Sequence, residues 1–129
     1  MIAMLRHGVD IVEIPRIKAA LDSWGKRFLR RIYTDAEIEH CQGRLPSLAA
    51  RFAAKEAVMK ALGTGNIGVS WHDIQILGDD NDAPVVHLSG GAESRARELK
   101  VRALVISLSH CREYAMASVI GESDEDSHR

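Results

Sequence analysis

Two acids and one lysine occupy positions that packing alone does not account for. Asp10 lies inside Gly8-Val9-Asp10-Ile11-Val12-Glu13-Ile14, an apolar, β-prone run, and acids are depleted in strands. Glu56 and Lys60 stand four residues apart in Arg51-Phe52-Ala53-Ala54-Lys55-Glu56-Ala57-Val58-Met59-Lys60-Ala61-Leu62-Gly63-Thr64-Gly65. Two carboxylates from separate elements make a sensible Mg²⁺ site, because that ion takes oxygen ligands, keeps several waters and completes its octahedron with substrate phosphates. Lys60, one helical turn beyond Glu56, would then lie where it can neutralise a phosphate. The plainer alternatives are an outward-facing Asp10 on an edge strand and a helical Glu56–Lys60 ion pair contributing a few tenths of a kcal/mol. His110, in a connection between two strands, is weak evidence alone and gains interest only from its company.

The elements that must position these groups begin with the segment around Glu56. Between Phe52 and Leu62 there is no Gly or Pro and only one β-branched residue, so a helix is expected. Its apolar side chains do not gather into one stripe, which predicts a mostly buried helix whose charges, Glu56 with Lys60 and Arg51 with Lys55, fall into narrow seams. Gly63 suits a left-handed helix end, and Gly65 and Gly68 leave the following backbone free to approach a ligand. Ser47 is the expected N-cap.

Upstream, Ile2 to Leu5 and Val9 to Ile14 are β-prone. Pro15 opens a helix with Ile17, Ala20, Leu21 and Trp24 as its apolar stripe, ended by Gly25. Thr34 and Glu37 form a capping box for a second short helix. Downstream, Trp71 to Leu77 and Pro84 to Leu88 read as a hairpin across a 78–82 turn, Ser89 to Lys100 as a helix, and Ala103 to Leu108 and Tyr114 to Ile120 as two strong strands. This order predicts an α+β fold: one compact domain over 1–121, with a mainly antiparallel sheet packed against the long central helix. Residues 122–129 read as an acidic, disordered tail.

With 129 residues, 46% of them hydrophobic, the chain suits a single core. Cys41 and Cys111 are in no metal-ligand spacing and are expected to be free thiols. No segment approaches the roughly 20 apolar residues of a membrane span, and a cytoplasmic protein is expected. Net charge is −1, so attraction to a polyanion would have to come from local clustering. Residues 16–31 supply it, holding Arg16, Lys18, Lys26, Arg27, Arg30 and Arg31 against the single acid Asp22. A nucleic-acid module using this basic segment is disfavoured by the net charge and by only six aromatics. A non-catalytic interaction domain is the third alternative.

Three blocks in order resemble the 4′-phosphopantetheinyl transferase family in its holo-acyl-carrier-protein synthase form. They are Gly8 through Ile17, Arg51 through Gly65, and Ser107-Leu108-Ser109-His110 with Tyr114-Ala115. The resemblance implies Mg²⁺-dependent transfer of the 4′-phosphopantetheine arm from coenzyme A to a serine of an apo acyl carrier protein, the step that prepares carriers for fatty acid biosynthesis. It implies that Asp10 and Glu56 hold the metal and that Lys60 contacts the pyrophosphate. Arg51, Gly63, Thr64, Gly65 and His110 match positions lining the coenzyme A pocket, and Arg16 matches an arginine that meets the carrier protein. Lys26 and Arg27 extend that basic surface toward an acidic partner. Homotrimers with active sites between subunits are implied as well. Two departures stand out: Arg6 and His7 replace a glycine and an apolar residue, and Ala83 replaces a lysine before Pro84. The general base stays open between a metal-bound water, Glu37 and another carboxylate.

Overall fold

The computed structural model describes residues 3–78 and 83–124. Strand β1 (Ala3–Glu13) runs unbroken through Gly8, where two separate strands were expected. It is followed by helices α1 (Ile14–Trp24), α2 (Lys26–Ile32), α3 (Asp35–Cys41) and α4 (Leu45–Leu62). A single 3₁₀ turn at Trp71–Asp73 leads into the hairpin β2 (Ile74–Gly78) and β3 (Pro84–Leu88). Helix α5 (Gly90–Glu98) and strands β4 (Val101–His110) and β5 (Tyr114–Asp124) complete the order. The architecture is the expected α+β one. β5 lies between β1 and β4 in an antiparallel sheet, and β2–β3 forms a second, two-stranded sheet.

Helix α4 lies across the inner face of the three-stranded sheet, and twelve of its eighteen residues are buried, including Ala53, Ala54, Ala57, Val58, Ala61 and Leu62. Small residues let the sheet come close. A Cβ added to Gly8 would sit 1.8 Å from the Ala57 carbonyl oxygen, so only glycine permits β1 to lie against the helix there. Val12, Ala115, Ala117, Val119 and Ile106 complete the inner layer.

Several boundaries differ from expectation. Pro46 occupies the first turn of α4 and Arg44 its cap position, with no side-chain cap, so Ser47 already lies inside the helix. Lys26–Ile32 is helical although its charges suggested only a basic surface stretch. Trp24 does not join the apolar stripe of α1 inward but stands 61% exposed. Trp71 belongs to the 3₁₀ turn, which Ser70 and Asp73 close with a reciprocal capping box. The thiols of Cys41 and Cys111 are free, the first buried and the second exposed. Glu122, Ser123 and Asp124 belong to β5 and pair with Leu5, Met4 and Ala3, so the expected acidic tail begins no earlier than residue 125, and 125–129 lie outside the described residues, as does the 79–82 part of the expected turn. Among the described residues, no helix is long and apolar enough to cross a membrane.

Candidate functional site at the seam of β1 and α4

The close approach at Gly8 decides where Asp10 points. Gly8, Asp10 and Val12 share the face of β1 that meets α4, so Asp10, on an edge strand as supposed, faces the helix and not solvent. Lys60 reaches across the seam and donates to Asp10 Oδ1 at 3.0 Å and to the Val9 carbonyl at 3.0 Å. The supposed Glu56–Lys60 ion pair is therefore replaced by Lys60–Asp10. Glu56 stays half-buried beside them, its carboxyl pushed above the usual carboxylate range by burial and then by the Asp10 charge. Lys60 and Arg16 pull it the other way, which puts the first turn of α1 within electrostatic reach of the site.

Such a cluster fits a divalent cation. A carboxylate whose ionisation is opposed by a second one beside it is relieved by a positive ion between them. Among the described residues no group of three or more His, Cys, Asp and Glu could hold a metal, so a cation here would take its remaining oxygens from water and substrate, the arrangement Mg²⁺ favours. The side chain of Lys60 is 54% exposed and that of Asp10 only 13%. The ammonium therefore offers its free side to an incoming anion while the carboxylate stays sheltered.

At the exit of α4, Gly63 (φ 70°) is the left-handed cap and Gly65 (φ 56°) follows it. The Gly63 and Thr64 amides donate back to Lys60 O and Met59 O, and the Thr64 hydroxyl donates to the Gly65 carbonyl at 3.0 Å. The glycine-rich exit thus directly adjoins the Lys60 turn.

Arg51 and His110 are elsewhere. Nine residues separate Arg51 from Lys60, a half-turn around the axis at 3.6 residues per turn, and Arg51 is buried with its Nε donating to Ile76 O at 3.0 Å. It borders a cleft of about 590 Å³ shared with His40, Arg44, Ser107 and Leu108. His110 ends β4, exposed, beside Ile11 and Tyr114 in a hollow of about 250 Å³. Neither makes a hydrogen bond or ion pair to Asp10, Glu56 or Lys60. Lys26 and Arg27 are exposed on α2, with the Arg27 guanidinium 5.9 Å from the ring centre of Trp24. A groove of about 560 Å³ runs between Trp24, Arg27, Phe28, Arg31 and Ile32.

Sequence reasoning missed what holds the other side of α4. Lys55 and Glu37 are fully buried and pair at 2.7 Å. Lys55 also donates to Trp71 O at 3.0 Å and to Ile74 O. Glu37 accepts from Thr34 N at 2.9 Å, closing the predicted capping box, and from Ile76 N at 2.8 Å. Both carboxylate oxygens of Glu37 are engaged and shielded from water, which removes it as a candidate base. The T-x-x-E signal located its backbone role, but nothing local pointed to a lysine eighteen residues away.

Residues 6–119 match the model of the 4′-phosphopantetheinyl transferase superfamily. The holo-[acyl-carrier-protein] synthase of Dehalococcoides mccartyi (strain ATCC BAA-2266) is 53% identical over 119 residues, covering 92% of this chain and 99% of that one. The structure of Helicobacter pylori holo-[acyl-carrier-protein] synthase in complex with coenzyme A superposes with a TM-score of 0.82 at 34% identity, over 89% of this chain and 98% of that one. The Neisseria meningitidis synthase gives 0.84 at 32% identity, over 92% and 98%.

Proposed function

This chain belongs to the 4′-phosphopantetheinyl transferase superfamily, and from that premise we propose that it moves the 4′-phosphopantetheine arm of coenzyme A onto a serine of an apo acyl carrier protein. The observation that carries the reading is the half-open cluster of Asp10, Glu56 and Lys60 at the β1–α4 seam. In the reaction, the serine oxygen bonds to the β-phosphorus of the coenzyme as the bond from that phosphorus to the bridging oxygen breaks, the serine hydroxyl proton passes to water or to a carboxylate at the seam, and adenosine 3′,5′-bisphosphate leaves with the electron pair. The nucleophile arrives with the partner, so this chain need only bind, orient and neutralise. Asp10 and Glu56 would hold Mg²⁺, which when bound supplies charge stabilisation for the diphosphate. Lys60 turns its exposed side to the diphosphate oxygens while Val9 O and Asp10 fix its reach.

Arg51 and His110 are too dispersed for one chain to wrap a coenzyme. A neighbouring copy resolves this: Leu5, Val9, Ile11, Val105, Met116 and Ile120 leave an exposed apolar face on the outer side of the three-stranded sheet, and patches of this kind mark association surfaces. A homotrimer joined through that face would bring the Arg51 cleft and His110 of one subunit toward the Lys60 seam of another. The carrier docks along Arg16, Lys26 and Arg27, where the groove beside Trp24 offers an apolar floor within a basic rim. Raising ionic strength from about 0.05 to 0.5 M shortens the Debye length from roughly 14 to 4 Å, so KM for the carrier should rise more than KM for coenzyme A, and Arg16→Glu should reproduce that change at low salt. Acyl carrier proteins of fatty acid biosynthesis are the expected partners, in the cytoplasm.

The deciding experiment mixes the protein, coenzyme A, Mg²⁺ and an apo acyl carrier protein and weighs the carrier by mass spectrometry. Addition of one phosphopantetheine per carrier supports the reading, and an unmodified carrier over prolonged incubation refutes it.

A further inference from the structure

Arg6 and Arg95 come from opposite ends of the chain to the same place. Arg6, on the inner face of β1, donates through Nε to Ala61 O at 2.8 Å. Arg95, on α5, donates through Nε to Leu62 O at 3.1 Å. Each thereby satisfies a carbonyl that the end of α4 leaves without a helical partner. Capping requires only one N–H from each guanidinium. The remaining ends converge: a Cβ built on Gly63 would have Arg6 Nη2 at 3.6 Å and Arg95 Nη2 at 3.8 Å. Gly63 is exposed, so this point opens to solvent.

Two guanidinium ends aimed at one open point make a place where an anion would be stabilised. Arg95 is partly compensated by Glu98, but Arg6 forms no ion pair among the described residues. Lys60, one residue before Ala61, is tied to Val9, three residues along β1 from Arg6, so its turn directly precedes the one that Arg6 and Arg95 cap. Beyond them Gly65 and Gly68 have nothing within 4 Å of where a Cβ would be, leaving the backbone clear for a ligand.

We propose that Arg6 and Arg95 form a second anion contact beside Lys60, which binds the diphosphate bridge of the coenzyme at the open position over Gly63. The inference rests on the coenzyme A reading and assigns Arg6, a residue otherwise only a departure from the family pattern, a binding role. Forked N–H donors suit a phosphate better than a lone ammonium does.

Calorimetric titration of the full chain with coenzyme A, dephospho-coenzyme A and pantetheine tests it without requiring turnover. For Arg6→Gln and for Arg95→Gln, Kd for coenzyme A and for dephospho-coenzyme A should rise together by about tenfold, the loss of one charge-assisted hydrogen bond, with pantetheine binding unchanged. Arg6→Lys should recover part of the affinity. A fall in melting temperature with both Kd values unchanged would leave the arginines as helix caps only and overturn the proposal. A loss confined to coenzyme A would place the contact on the 3′-phosphate and overturn it equally. Failure of the unaltered protein to bind coenzyme A would refute the transferase reading itself, a result separable from either.

Discussion

Lys55 and Lys60 leave the same helix about 140° apart, and each meets a carboxylate at 3.0 Å or less. Around Lys55, the pair with Glu37 is fully buried, and carbonyls and amides from α3, the 3₁₀ turn and β2 take up the remaining donors and acceptors. Around Lys60, the ammonium is half in water, Asp10 accepts from it on one oxygen, and Glu56 beside Asp10 has no ion pair of its own among the described residues, only the longer-range pull of Lys60 and Arg16. A saturated pair has nothing to offer a ligand and serves to fix the helix. An under-compensated one keeps its charge available. The contrast separates a saturated ion pair from an under-compensated one without recourse to residue type, because both clusters are built from lysine and carboxylates.

The largest effects should come from the open cluster. Asp10→Ala or Glu56→Ala is expected to lower the transferase rate by about 10³-fold or more while the melting temperature stays within a few degrees. Carrier-mass kinetics alongside thermal unfolding checks both, and a Glu56→Ala variant with ordinary Mg²⁺-dependent turnover would erase the distinction between the clusters. Next comes stability on the closed side. Lys55→Ala strands the Glu37 charge in the core and should cost about 3–5 kcal/mol. The double variant Lys55→Met with Glu37→Met should recover most of that in urea unfolding, since a saturated pair needs both members or neither. If the double variant is as unstable as the single one, the pair contributes more than mutual neutralisation.

A more modest effect is expected at Lys60→Ala: roughly 10²-fold in rate, carried by the interaction with the diphosphate, against about 0.5 kcal/mol or less in stability for so exposed a pair. Unchanged kinetics would reduce Lys60 to a strap between β1 and α4. The smallest effect is in pH. The carboxyl of Glu56 is raised in the fold, so the folded state binds more protons there than the unfolded chain does. Stability of the metal-free protein should therefore decline slightly as pH rises from the unfolded carboxylate range through the raised Glu56 value. Glu56→Gln should remove that slope, and Mg²⁺ affinity should fall as pH drops through the same window. A slope that survives Glu56→Gln would mean another group titrates there.

The sequence made the open cluster legible and hid the closed one for a physical reason. Asp10 and Glu56 each violate a local expectation, an acid in a strand and an acid on a helix apolar almost all round, and local violations can be read in one dimension. Lys55 and Glu37 violate nothing locally: one lies in a charged seam and the other completes a capping box, and their meeting depends on how α3 packs against α4. The same limit explains Trp24, whose spacing fits a buried stripe but whose neighbourhood is decided by the basic helix α2. It also explains Arg6, which reads as an anomaly until the end of α4 is brought to it. Strand positions were recoverable from apolar alternation, whereas α4 is capped three residues before the expected Ser47, with Arg44 at the cap position and Pro46 in the first turn, where its missing N–H costs nothing.

The order of strands in the three-stranded sheet also has a bearing on biosynthesis. β5 is the middle strand, and it is the last of the five to be made. While the chain emerges from a ribosome, β1 waits for a partner roughly 100 residues downstream, a delay of about 5–20 s at ordinary elongation rates. During that interval its Val9 and Ile11, on the outer face, lie along an unpaired edge that could join another nascent copy. Helix α4 is complete well before β5 exists, and its alanine-rich surface is the main native cover available to β1 in the meantime. The glycine that lets strand and helix touch therefore has a temporal role in addition to its geometric one: it allows the two to associate before the sheet can form.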